Sequence, residues 1–133
     1  MLPGGAAAVF AAPPADQVLG TWNGTSLCVQ SPDFPACRDE TVVYEFRKAA
    51  AGDAVTLAAF KIVDGQKGLM GEMDFSWDAK QGAWTSEFQN ARYHGLWTFF
   101  VKGDAITGTL VDLPSRKPVQ NVAVERAPSA APK

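Results

Sequence analysis

Histidine occurs once and cysteine twice in this 133-residue chain, so the side chains that most often hold transition metals are nearly missing. His94, Cys28 and Cys37 do not make up a four-ligand structural zinc site, and no Cys-x-x-Cys pair is present. No motif implies a cofactor. Long apolar runs are missing as well: no segment approaches the roughly 20 apolar residues of a membrane-spanning helix. Nor is there an excess of positive charge. Twelve Lys and Arg stand against fourteen Asp and Glu, a net charge of −2 that offers no basic field to nucleic acid or anionic lipid. The last absence is helical periodicity, because no stretch of ten residues repeats apolar positions at i, i+3, i+4 and i+7, and glycine or proline interrupts almost every window.

What remains is a β-type chain with 47% hydrophobic and 20% charged residues, enough for one domain with its own core. Residues 1–16 are rich in Ala, Gly and Pro and carry no charge before Asp16. They read as the tail of a signal peptide, with Val9 and Ala11 at the small-residue positions, or as a disordered tail. Residues 127–133 form a second Ala/Pro tail, leaving 17–126 as the folded unit. Cys28 and Cys37 flank a loop containing Pro32 and Pro35, a spacing that suits a disulfide; free thiols or a metal site are the alternatives. A disulfide places the protein in an oxidising compartment, secreted or periplasmic.

Eight segments have strand character: 19–25, 41–47, 55–63, 69–77, 83–89, 93–102, 106–111 and 119–126. The alternation is clean in 41–47, where Val42, Tyr44 and Phe46 share one face and Glu45 and Arg47 the other. It is equally clean in 69–77, with Leu69, Met73, Phe75 and Trp77 against Glu72, Asp74 and Ser76. Short turns such as 78–82 join most segments, so the chain reads as a meander that closes into an eight-stranded antiparallel up-and-down barrel. A two-sheet sandwich is the competing arrangement. Eight strands enclose room for their own side chains or for one small ligand.

The first strand carries Gly20-Thr21-Trp22, a tight backbone position followed two residues later by a large aromatic. With this Gly-x-Trp opening and the eight-strand meander, the sequence resembles the calycin superfamily of lipocalins, fatty-acid-binding proteins and avidins. The resemblance implies a lipocalin-like barrel whose Trp22 is covered by an arginine from late in the chain, here Arg126, closing one end.

Inward faces carry Tyr44, Phe46, Phe75, Trp77, Trp84, Phe88, Trp97 and Phe99, which either fill the barrel or line a ligand cavity. The function that follows is binding of a small apolar or amphipathic ligand. Alternatives are a protein-binding barrel of the protease- or lysozyme-inhibitor type acting through rim loops, and an enzyme on the same scaffold. For the last, only His94 offers a general base, with no carboxylate or nucleophile assigned to it by spacing. Asp33, Asp39 and Glu40 supply oxygens near the cysteine loop but follow no calcium-loop pattern. Phe60, Ile62, Leu96 and Phe100 fall on outward faces, and if brought together they would favour a homodimer.

Overall fold

The computed structural model describes residues 14–29, 32–91 and 93–128. A one-turn helix, α1 (Ala15–Val18), leads into eight strands: β1 Gly20–Cys28, β2 Glu40–Lys48, β3 Val55–Val63, β4 Gln66–Asp78, β5 Ala83–Gln89, β6 His94–Lys102, β7 Ala105–Asp112 and β8 Lys117–Arg126. Each pairs antiparallel with the next, and β1 pairs with β8, so the sheet closes into a barrel. The meander expected from the alternation is present, the sandwich is not, and the architecture is consistent with a calycin-like fold. The tails expected at 1–16 and 127–133 lie largely outside the described residues.

Antiparallel order puts α1, the β2–β3, β4–β5 and β6–β7 turns and the end of β8 at one end of the barrel. That end is closed by Trp22 and Arg126. Trp22 is fully buried, and its indole Nε1 donates to the carbonyl of Val18 at 2.9 Å. The Arg126 guanidinium lies 4.3 Å above the ring, with Nη1 donating to Leu19 O, Nη2 to Gln17 O and Nε to Asp104 Oδ1. One planar cation therefore caps the carbonyls at the end of a helix too short to be stable alone and covers an aromatic face as well. Gly20 has φ +117°, a backbone angle that L side chains rarely adopt, and Arg126 Nη1 lies 3.5 Å from where its Cβ would stand.

Two expectations need correction. Leu69 does not share the inward face of Met73, Phe75 and Trp77. The β3–β4 register shifts between Ala59 and Phe60, where Gly71 and Leu69 are the successive partners, so Met70 is an extra residue. A bulge of this kind reverses the facing beyond it, and Leu69 is left 59% exposed. The outward apolar residues also fail to form one patch: Phe60 and Ile62 are on β3, Leu96 and Phe100 on β6, and β4 and β5 stand between. Phe60 has a cover of its own, Lys67 Nζ at 4.4 Å from its ring centre.

At the other end, Cys28 and Cys37 are joined by a disulfide, with Cα atoms 6.0 Å apart. The loop they close is tied further to the barrel. Asp39 Oδ1 accepts from the amide of Cys28, and Lys117 Nζ reaches Asp33 Oδ2 at 2.7 Å. On the chain-entropy model, closing a loop of this length restricts the unfolded chain by about 2–3 kcal/mol. Replacing both cysteines by serine is expected to lower the unfolding free energy by that amount, read as a fall in the urea midpoint; an unchanged midpoint would show that the loop's other ties suffice.

Candidate functional site

The inward aromatics divide into a plug and a pocket. Phe99 is the hinge between them. Its ring stacks on Phe75 at 4.8 Å and on Tyr44 at 5.8 Å, and meets Phe46 and Trp97 edge-on near 6 Å. Below it, Phe46, Phe75 and Trp84 are buried with Trp22, Val55, Ile106 and Val124, and they fill the closed half. Trp77 packs against Trp84 at 5.3 Å, and Phe88 against Tyr93 at 5.4 Å. Above Phe99 lies a pocket of about 150 Å³. Of the eight aromatics proposed as cavity residues, Tyr44, Trp97 and Phe99 line it, while Phe46, Phe75, Trp77, Trp84 and Phe88 do not.

The pocket has two unlike walls. β3, β4 and β6 supply Leu57, Ala59, Met70, Gly71, Met73 and Trp97, apolar but for the Trp97 indole N–H. β1, β2 and β8 supply Ser26, Glu40, Tyr44 and Gln120, each carrying a polar group. The strand ladder explains the second grouping, since Ser26 is the direct partner of Glu40 on one side and of Val122 on the other. The apolar wall has its own peculiarity. β4 and β5 pair only at Ser76–Thr85, Trp77–Trp84 and Asp78–Ala83, and Met70, Gly71 and Met73 lie on the length of β4 beyond the last of these pairs.

Ser26 is 1% exposed, and its Oγ has no hydrogen-bond partner among the described residues. The Tyr44 hydroxyl stands close by, outside hydrogen-bonding geometry. Burial pushes the Tyr44 phenol well above its usual range; the nearby Ser26 hydroxyl offsets this in part, and the Glu40 carboxylate adds to it. Tyr44 is therefore a neutral hydroxyl across the physiological range. Gln120 Nε2 donates to Arg38 O at 3.3 Å, and since a carbonyl only accepts, the amide nitrogen must face it, leaving Oε1 as the remaining acceptor.

Ser26, Glu40, Leu57, Met70 and Gln120 were not among the residues expected at a cavity. A signal for three of them was present. Ser26 is in phase with inward Trp22, Glu40 with Val42 and Tyr44, and Gln120 with Val122 and Val124, so each is a polar residue on an apolar face at the same end of its strand. Met70 is brought in by the bulge.

The other chemistry-bearing residues lie elsewhere. His94 Nε2 is 2.6 Å from Glu87 Oε2, so a carboxylate does accompany this histidine, in an exposed pair on neighbouring strands outside the pocket. Asp33 and Asp39 are engaged by Lys117 and the Cys28 amide, and Glu40 faces the pocket, so the three do not converge. Among the described residues no group of three or more His, Cys, Asp or Glu is placed to hold a metal ion, and no helix is long and apolar enough to cross a membrane. No known family model matches the sequence, and a search among curated proteins gives no match.

Proposed function

We propose that this barrel holds a small apolar or amphipathic molecule in the pocket above Phe99, in the manner of a lipocalin-like binding protein of a secreted or periplasmic compartment. The observation that carries the reading is the division of the interior: a filled aromatic half beneath, towards the end plugged by Trp22, and a cavity of about 150 Å³ above it. An apolar cavity of roughly that size takes one benzene ring, whereas drug-sized ligands need about 300–1,000 Å³. A ring-sized group is thus the part that enters; a long-chain fatty acid or a haem is too large to be enclosed. The disulfide supports the compartment. A second reading, protein binding through the rim, is favoured by the Cys28–Cys37 loop, which the disulfide and the Asp39 and Lys117 contacts tie to the barrel.

The test is a toluene titration followed by tryptophan fluorescence and calorimetry. Saturable binding is expected, with Trp97 as the reporting indole. Gly71→Val is the control, because a Cβ at Gly71 meets no atom within 4 Å and the added side chain occupies free space. It is expected to weaken toluene by about tenfold or more while the melting temperature holds or rises. A wild-type protein that shows no saturable response to toluene would remove this reading and leave the rim.

A further inference from the structure

We infer that the molecule this pocket selects is a small organic amine, a ring-sized apolar body carrying an ammonium group, and that carboxylates are excluded. The inference rests on the pocket reading above and adds the chemistry of the head group. Its basis is the polar wall. Ser26 Oγ, the Glu40 carboxylate, the Tyr44 hydroxyl and Gln120 Oε1 all accept hydrogen bonds, and they come from three adjacent strands, β2, β1 and β8. Among the described residues no lysine, arginine or histidine lines the pocket, and Glu40 is the only charged group in its lining. The two hydroxyls and the Gln120 amide can donate as well as accept, but the Glu40 carboxylate only accepts and carries the charge, and an ammonium, with three donors and a positive charge, is its complement.

The unpartnered hydroxyl of Ser26 gives the second, independent indication. A hydroxyl 1% exposed that forms no hydrogen bond, with only the Tyr44 phenol acting on it from the same wall, has capacity left to accept one. It lines the pocket directly opposite Glu40 in the β1–β2 ladder, so a donor placed between the two reaches both. A carboxylate in the same position finds the Glu40 charge facing it in a half-buried site, with no cation among the described lining residues to offset the repulsion. The apolar wall of Leu57, Met73 and Trp97 then takes the ring.

The experiment compares three compounds that share a phenyl ring and place the nitrogen or oxygen of the head group three bonds from it: 2-phenylethylamine, 2-phenylethanol and phenylacetate. Calorimetry on the wild-type protein at neutral pH is expected to rank the amine about tenfold or more ahead of the alcohol, as a charge-assisted hydrogen bond ranks over a neutral one, with phenylacetate weakest. Glu40→Gln is expected to bring amine and alcohol within about threefold of each other, and Ser26→Ala to weaken both. If toluene binds but phenylacetate equals or exceeds the amine, or if Glu40→Gln leaves the amine's advantage intact, the head-group inference is overturned while the pocket reading stands. If toluene and all three compounds fail, both fall together. The wild-type ranking needs no variant to fold.

Discussion

Trp22→Ala is expected to destabilise the protein by about 3–5 kcal/mol, the range for truncating a large buried aromatic. For a domain of this size that is a fall in melting temperature of roughly 10–20 °C. The indole is fully buried, so its removal opens a cavity at the closed end of the barrel. The loss extends beyond volume. Arg126 forfeits the ring beneath it at 4.3 Å, and the carbonyl of Val18 loses the Nε1 donor at 2.9 Å, so α1 is left with fewer ties to the barrel. Trp22→Phe separates these contributions in part, because it keeps one aromatic ring under Arg126 while removing the indole N–H and a smaller volume; a smaller loss of about 1–3 kcal/mol is expected for it. Differential scanning calorimetry on the pair decides the matter. A Trp22→Ala protein melting with the wild type would mean that the closed end is held by its strands alone.

The barrel was legible in the sequence because most of the strands keep a strict two-residue period, and a meander with short turns has one economical closure. Val42, Tyr44 and Phe46 show how far this goes: their phase alone places them inside, where all three are buried. Period-two reasoning fails where the count changes. One extra residue at Met70 turns Leu69 outward and carries Met70 to the pocket mouth, and nothing in the composition of 66–71 announces it. The site was legible only in part, for a different reason. Residue type sorts apolar side chains inward and polar ones outward, and Ser26, Glu40 and Gln120 are polar residues whose phase is inward. Their convergence depends on β8 returning beside β1, a contact between residues about a hundred positions apart that no local window contains. Likewise the aromatics shared one face but not one role, since a face has no height, and height along the barrel separates Phe99 at the pocket floor from Phe75 beneath it.

The closure of β1 on β8 itself can be tested at Gly24, where alanine is expected to cost at least about 3 kcal/mol, the upper end of what overpacking does. A Cβ at this position would stand 2.0 Å from the carbonyl oxygen of Ala123 and 2.7 Å from the Cα of Val124. Both are backbone atoms of β8, and both belong to residues paired with this stretch of β1: Gly24 with Val124, Thr25 with Ala123. A flexible side chain would swing aside, but backbone moves only if the ladder opens, and this ladder joins the first strand to the last. Glycine within a strand marks such close approaches. Gly68→Ala is the companion variant, because a Cβ there meets nothing within 4 Å; it is expected to be neutral or slightly stabilising through reduced freedom of the unfolded chain. Urea unfolding gives the two free energies, and amide hydrogen exchange locates the damage. In Gly24→Ala, protection is expected to fall first along β1 and β8, with the β6–β7 ladder retained; equal stability of the two variants would show that the barrel closes without close contact at Gly24.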